Sequence, residues 1–202
     1  VVDMSRADVR AYLFERLSDI LEHAPIDYVK WDMNRSICDI YSRQFAGDRT
    51  GEVYHRFVLG VYELMERIIQ RFPDILLESC SGGGGRFDAA MLYYSPQIWC
   101  SDNTDAVNRL DIQYGTSFFY PASSVGAHVS AVPNHQTGRV TPFATRGHVA
   151  LSGSFGYELD LNRITDEEKA MVREQIADFH KYYQLTHEGT YYRLTPPGGR
   201  FC

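Results

Sequence analysis

The run Ile26-Asp-Tyr-Val-Lys-Trp-Asp32 is a strand candidate that ends at a carboxylate. Two more short apolar runs follow along the chain, Ile75-Leu-Leu77 before Glu78 and Gln97-Ile-Trp-Cys100 before Asp102. Short apolar runs bounded by turn signals are typical of strands that are buried on both faces of a parallel sheet. Three consecutive strand ends therefore carry polar chemistry, and we expect a functional site built from them.

Amphipathic patterns separate these runs and predict helices between the strands. The first has Ser5 as a candidate N-cap, and the last begins at a capping signature that runs from Thr165 to Glu168. Residues 36–51 are polar and indicate a loop. The predicted helices cover about residues 5–22, 52–71, 88–94, 104–119, 142–151 and 166–183, and two further strands are predicted at 126–130 and 154–158.

Strands and helices alternate about five times, which indicates a parallel sheet with crossover helices. A doubly wound sheet normally shows one glycine-rich phosphate turn near its start, whereas here polar residues follow nearly every strand, as in a (β/α)8 barrel. A complete barrel needs about 250 residues. The 202 residues therefore predict an α/β fold and a partial (β/α)8 TIM barrel, from about the end of strand 3 through strand 8 and its helix.

The domain expectation follows from a change in composition near the C-terminus. Residues 1–183 are predicted to be the C-terminal part of the catalytic barrel. Residues 184–202 have turn residues and alternating aromatic residues without a helical period, and they predict the start of a β-rich C-terminal domain. We expect the chain to be a piece of a longer protein, called the parent below.

Composition excludes several classes of function. The net charge is −6, with acidic and basic residues interspersed, so no basic stripe is offered to nucleic acid or to an anionic membrane. No apolar stretch approaches the length needed to span a bilayer. The four cysteines are widely spaced and suggest neither a zinc site nor a disulfide scaffold; they are Cys38, Cys80, Cys100 and Cys202. No cofactor or metal is expected.

Asp32 is the first candidate catalytic residue. Strand alternation places Lys30 and Asp32 on the same face, where a lysine favours the ionised carboxylate that a nucleophile requires. A structural ion pair at a strand end is the alternative interpretation. Asn34 and Arg35 extend the polar cluster and weaken that alternative.

Asp102 is the second candidate. It lies beside Trp99 and Cys100, where apolar surroundings and a neighbouring negative charge are expected to keep the carboxyl partly protonated, as a general acid requires. Either Asp102 or Asp105 could instead cap the following helix. Asp105 is the better cap candidate because the helical pattern starts directly after it.

The glycine run Gly82–Gly85 offers several backbone N–H groups to a ligand at close approach. A phosphate loop is a rival interpretation, but no Gly-Lys-Ser/Thr follows the run. A turn required only by backbone geometry is the other alternative, although four glycines exceed what one turn needs. Close packing against a sugar face or its hydroxyls fits better.

The histidine and tryptophan residues give weaker signals. His128 and His135 bracket a loop without a regularly spaced acidic third ligand, so they predict loop-fixing or pocket-lining donors rather than metal ligands. Tryptophan residues pack in cores more often than they stack on sugars. The strand-end positions of Trp31 and Trp99 nevertheless favour a functional role.

Four segments in order resemble glycoside hydrolase family 36, the bacterial-type α-galactosidases. They are Tyr28-Val-Lys-Trp-Asp-Met-Asn-Arg35, Glu78-Ser-Cys-Ser-Gly-Gly-Gly-Gly-Arg-Phe-Asp88, Trp99-Cys-Ser-Asp-Asn-Thr-Asp-Ala106 and Gly126-Ala-His-Val-Ser130. The similarity runs from end to end. Several long motifs in the right order are more specific than any one of them.

The resemblance implies a retaining double displacement on terminal α-galactosyl residues of melibiose- and raffinose-type oligosaccharides. It implies that Asp32 is the nucleophile and Asp102 the acid/base. Lys30 and Asn34 match positions that hold galactose hydroxyls, Cys80 matches the loop that closes around the sugar's 2-position, and Trp99 matches an aromatic residue at the pocket wall. The full set of implied substrate-binding residues is Lys30, Trp31, Met33, Asn34, Cys80, Gly82, Gly83 and Trp99.

The resemblance further implies a cytoplasmic, homo-oligomeric parent whose partners are α-galactoside oligosaccharides, with no nucleic acid and no membrane. The family's first barrel strands and several residues that grip the sugar lie outside this chain, so the isolated chain is expected to lack part of the pocket. Two alternatives stay open. One is a galactosyltransferase of the raffinose-synthase type, and the other is a non-catalytic sugar-binding fragment.

Overall fold

The computed structural model describes residues 2–38, 40–45 and 47–198. It divides into two compact units. The first unit comprises Val1–Gly82 with Arg86–Pro96, and the second comprises Gly83–Gly85 with Gln97–Cys202. Each unit combines helices with parallel strands. The predicted α/β class is therefore confirmed.

The described residues of the first unit form two parallel strands and three α-helices. Its elements are α1 Ala7–His23, β1 Tyr28–Asp32, a 3-10 helix Gly47–Glu52, α2 Val53–Arg71, β2 Leu76–Cys80 and α3 Ala89–Tyr94. In the register of the two strands, Tyr28 lies opposite Leu76 and Asp32 opposite Cys80. The last residues of β1 and β2 are therefore neighbours.

Helix α2 supplies most of the core of the first unit. Its apolar residues recur at helical spacing and were expected on one face, and the structure buries them. They pack with Met4, Met91 and the partly buried Trp31. The buried members of α2 in this cluster are Phe57, Val61, Leu64, Met65 and Ile68. This packing fixes the helix that precedes β2.

The second unit contains the remaining strands and helices. Its elements are β3 Gln97–Ile98, α4 Ala106–Thr116, a 3-10 helix Ala122–Ser124, β4 Gly126–Ser130, α5 Phe143–Ala150, β5 Ser154–Glu158 and α6 Asp166–His187. Strands β4 and β5 are parallel partners. The inward residues Ala127 and Val129 of β4 pack with Phe143 and Ala150 of α5. This small core holds β4 against its crossover helix.

Several predicted boundaries agree with the structure. The bounds of β4 and β5 are as predicted, and the Thr165–Glu168 capping box is present at the start of α6. The predicted loop at 36–51 contains the start of the Gly47–Glu52 3-10 helix. Ser5 does not cap α1: the N-cap is Arg6, without a side-chain cap bond, and the Ser5 hydroxyl donates to Asp3 and to Ser42 instead.

Helix α6 continues to His187, four residues past the helix end predicted at about residue 183, and the domain boundary predicted there stays a prediction. Aromatic rings on successive turns account for the extension: Tyr183 and His187 stack with centroids 4.2 Å apart, and Phe179 packs edge-on against both. Among the residues described after α6, 188–198, no strand is formed. The predicted β-rich domain stays a prediction. Cys202 lies outside the described residues.

None of the helices in the described part of the chain combines the length and the apolar character needed to cross a membrane.

Candidate active site

The exposed face of β1 carries the first predicted catalytic residue. Burial alternates along the strand, so that Tyr28, Lys30 and Asp32 share the exposed face. The prediction that Lys30 and Asp32 point to the same side is confirmed. Asn34 Nδ2 donates a hydrogen bond to Asp32 Oδ2 over 2.8 Å. Asp32 is therefore an accessible carboxylate held by one amide donor.

The residue that sequence reasoning missed is Glu78. It lies on β2 directly opposite Lys30 in the strand register, and its side chain is only 3% exposed. Lys30 Nζ lies 3.7 Å from Glu78 Oε1, and the Tyr28 hydroxyl donates a hydrogen bond to Glu78 Oε2. The sequence signal for Glu78 was a glutamate at the end of an apolar run. The contact between Glu78 and Lys30 becomes visible only in the register of the two strands.

The loop after β2 is tied to the segment after β1. Ser81 Oγ donates to the Met33 carbonyl over 2.6 Å, and the Gly82 backbone N–H donates to Asn34 Oδ1 over 2.7 Å. Asn34 therefore accepts a hydrogen bond from the loop while its own amide donates to Asp32. Gly82 has φ +56°, which favours glycine.

Three other predicted binding residues lie around this point. Cys80 ends β2 opposite Asp32 but is only 3% exposed. Met33 is half-buried, and its backbone N–H donates to the Cys80 carbonyl over 2.9 Å. Trp31 is half-buried and packs against the core of the first unit, so its ring supports the strand rather than presenting an open face. The structure thus gathers Lys30, Asp32, Asn34 and Cys80 at one edge of β1 and β2.

Asp102 occupies the loop between β3 and α4 in the second unit. It is exposed among the described residues, and the apolar surroundings expected for its carboxyl stay a prediction. Gly83 packs against this loop: a Cβ on Gly83 would lie 2.6 Å from Ser101 Cα and 2.9 Å from the Asp102 nitrogen. Gly84 N–H donates to the Cys100 carbonyl over 3.1 Å. At Gly83 the absence of a Cβ therefore lets the Asp102 loop pass close by, and the predicted contact of Gly83 with the sugar stays a prediction.

Trp99 does not present a face to a sugar. The ring is only 4% exposed, His128 stacks on it at 4.5 Å, and the Arg109 guanidinium lies 4.5 Å from its centroid. Strand β3 also ends at Ile98, two residues earlier than predicted. Trp99 is therefore a buried support of the Asp102 loop, and its predicted place at the pocket wall stays a prediction.

Arg109 joins that loop to β4. Its guanidinium is buried and donates to the carbonyls of Ser101, over 3.2 Å, and Gly126, over 2.5 Å. His128 Nδ1 lies 3.1 Å from Glu158 Oε2. His128 is thus held by a ring stack and a carboxylate, in agreement with its expected role as a positioned donor, whereas His135 is exposed.

Asp105 caps α4, as predicted. Its carboxylate accepts from the backbone N–H groups of Val107 and Asn108 and from the Thr137 hydroxyl, and it pairs with Arg139. Burial opposes ionisation, but these donors and the Arg139 charge outweigh it and hold the pKa of Asp105 below its ordinary value of 3.8. The cap fixes the point at which the Asp102 loop becomes a helix.

Replacing Asp105 with alanine is expected to destabilise α4 by about 2 kcal/mol, because the cap and its charged partner are both lost. Protection of the α4 amides in hydrogen exchange should fall by roughly 30-fold, whereas Asp111→Ala on the exposed side of α4 should change it little. The difference in stability between the wild type and Asp105→Asn should be largest above about pH 4. It should fade as the pH falls through the lowered pKa of Asp105, because the carboxylate then becomes protonated in the wild type. Equal protection in Asp105→Ala and Asp111→Ala would contradict this account.

Comparison with known proteins identifies the family of this chain. The family model described as Melibiase matches residues 1–189. The chain belongs to the melibiase family. It is 60% identical over 197 residues to the bifunctional alpha-galactosidase/sucrose kinase AgaSK of Mediterraneibacter gnavus, covering 98% of this chain and 20% of that protein. It is 58% identical to alpha-galactosidase AgaA of Geobacillus stearothermophilus, covering 27% of that protein.

Solved structures of melibiase-family proteins confirm the resemblance to glycoside hydrolase family 36. An AgaA variant of that family, in complex with 1-deoxygalactonojirimycin, superposes with a TM-score of 0.95 at 57% identity and covers 98% of this chain and 27% of that one. Other AgaA variants are solved in complex with raffinose and with stachyose. The chain thus spans between a fifth and roughly a quarter of the length of these relatives.

Proposed function

We propose that the parent of this chain is a retaining α-galactosidase, with Asp32 as nucleophile and Asp102 as acid/base. The observation that carries the proposal is the exposed Asp32 carboxylate, fixed by Asn34 and sharing its strand face with Lys30. A nucleophile needs an accessible carboxylate held in a fixed orientation, and the Asn34 amide donor holds that of Asp32. High identity to proteins named α-galactosidases supports the choice of reaction.

The reaction would proceed in two displacements. Asp32 attacks the anomeric carbon of a terminal α-galactosyl group, and the glycosidic bond breaks while Asp102 donates a proton to the departing oxygen. A water molecule then attacks the galactosyl–Asp32 ester, gives its proton to Asp102 and frees the carboxylate. Two inversions leave the anomeric configuration retained.

The substrates proposed are α-galactosyl oligosaccharides of the melibiose and raffinose type. The raffinose and stachyose held by AgaA variants support this class. Lys30 and Asn34 supply donors beside Asp32 that can hold sugar hydroxyls. Trp99 is buried and the half-buried Trp31 packs against the core, so stacking on a sugar face would come from elsewhere in the parent.

We place the chain in the C-terminal part of a (β/α)8 barrel, with residues after α6 leading into a further domain. The alternation of parallel strands with helices in each unit supports this placement, as do the positions of Asp32 and Asp102 after β1 and β3. The cytoplasmic location and homo-oligomeric state of the parent are proposed from the family resemblance.

Incubation of the parent with raffinose should release galactose and sucrose in equal amounts. Product analysis by anion-exchange chromatography, with and without an added sugar acceptor, checks this. A galactosyltransferase would instead give larger oligosaccharides in preference to free galactose. Binding of galactose with no turnover would indicate a non-catalytic protein, and either result would contradict the proposal.

A further inference from the structure

Glu78 is a buried carboxylate beside the proposed site with no role in the two displacements. It is the third residue of β2, and its side chain is 3% exposed. An ionised carboxylate in such a place is strongly disfavoured unless cations and donors compensate for the lost hydration. Its partners therefore indicate what it does.

Two of those partners come from the exposed face of β1. The Tyr28 hydroxyl donates to Oε2, and Lys30 Nζ lies 3.7 Å from Oε1. Tyr28 and Lys30 are two residues apart, so they flank the carboxylate from the same side of the strand. Both oxygens of Glu78 thus face the strand that ends at Asp32.

The lysine side chain has four rotatable carbon bonds and is 37% exposed, so it would sample many positions if nothing held its ammonium group. A carboxylate fixed by the strand register and by Tyr28 restricts that sampling. Pre-ordering a donor removes an entropic cost from substrate binding. Backbone hydrogen bonds already join the two strands. The Lys30–Glu78 pair can in addition order the ammonium group before a substrate binds.

We propose that Glu78 is a positioning residue: it holds the Lys30 ammonium on the Asp32 side of β1, ready to bind a sugar hydroxyl. This inference rests on the proposed function for its sugar, but the Lys30–Glu78 contact can be tested without turnover. Tyr28 is the second anchor of the same carboxylate.

The kinetic test compares wild-type parent, Glu78→Gln, Lys30→Ala and the double variant on 4-nitrophenyl α-galactoside. Glutamine keeps the volume and an acceptor for Tyr28 but removes the charge. Glu78→Gln should raise KM about tenfold with a smaller change in kcat, and it should add little when Lys30 is already alanine. Glu174→Gln, an exposed position on α6, is the matched control and should leave both constants unchanged.

A purely structural role for Glu78 predicts a different pattern. The loss would then appear as a lower melting temperature or a lower kcat, with KM unchanged, and it would be as large in the Lys30→Ala background as in the wild type. That result would overturn the inference. Tyr28→Phe supplies a milder variant that keeps the charge pair, and it should shift KM in the same direction by a smaller factor.

Amine labelling tests the contact independently of hydrolysis. Under limiting acetylation of the intact parent, the rate at Lys30 relative to the exposed Lys181 should rise several-fold in Glu78→Gln, because the amine is no longer held against the carboxylate and becomes more accessible to the reagent. An unchanged ratio would overturn the inference whatever the activity. Failure of the wild-type parent to hydrolyse the galactoside, with the labelling ratio responding as expected, would overturn the proposed function and leave the Lys30–Glu78 contact established.

Discussion

The Asp32→Ala variant of the parent is expected to lose roughly 10⁴-fold or more in kcat for an aryl α-galactoside, because the group proposed to form the glycosyl–enzyme bond is removed. The fold should survive the change, since the Asp32 side chain is exposed and contributes nothing to the core of the first unit. Steady-state hydrolysis together with a melting curve measures both quantities.

Azide separates the loss of a nucleophile from damage to the site. A small anion can enter the space left by the carboxylate and attack the anomeric carbon directly, so it should restore part of the rate and give a galactosyl azide of inverted configuration. Asp27→Ala, five residues earlier and also exposed, is the matched control and should retain wild-type activity. Wild-type turnover in Asp32→Ala would remove Asp32 from the mechanism.

The Asp102→Ala variant is expected to show a loss that depends on the leaving group. General acid catalysis contributes about 10² to 10⁴-fold when the departing oxygen needs a proton. Raffinose hydrolysis should therefore fall by roughly that factor. Bond cleavage in a dinitrophenyl galactoside, whose leaving group needs no proton, should be much less affected.

The same variant should accumulate the galactosyl-enzyme with the dinitrophenyl substrate, because the second step also lacks its base. A burst of dinitrophenol followed by slow turnover is the expected signal, and azide should accelerate the slow phase. Asp111→Ala on α4 serves as the control for this segment. An equal loss for raffinose and for the dinitrophenyl galactoside would contradict the acid/base role of Asp102.

The class of the fold was predictable because local patterns decide it. Strands β4 and β5 have the bounds that their apolar runs predict, and the α6 capping box needs only residues within one turn. The errors have long-range or side-chain causes. Strand β3 stops at Ile98 and Trp99 is buried under His128 and Arg109, and ring stacking carries α6 on to His187.

In the candidate site, too, the features that depend on local patterns were predictable. Alternation along one strand places Lys30 and Asp32 on one face, and the position before a helical pattern identifies Asp105 as the cap. Two features depend on which residues meet across the fold. Glu78 meets Lys30 only through the register of β1 with β2, and Gly83 is required because the Ser101 backbone passes close to it.

Asp32 is proposed to form a covalent bond to the sugar, and trapping that species tests the bond most directly. The parent would be inactivated with 5-fluoro-α-galactosyl fluoride, digested and sequenced by mass spectrometry. One fluorogalactosyl group is expected, on Asp32, and added galactose should protect against its formation. Labelling of another carboxylate, or release of inverted galactose without a labelled species, would contradict that expectation.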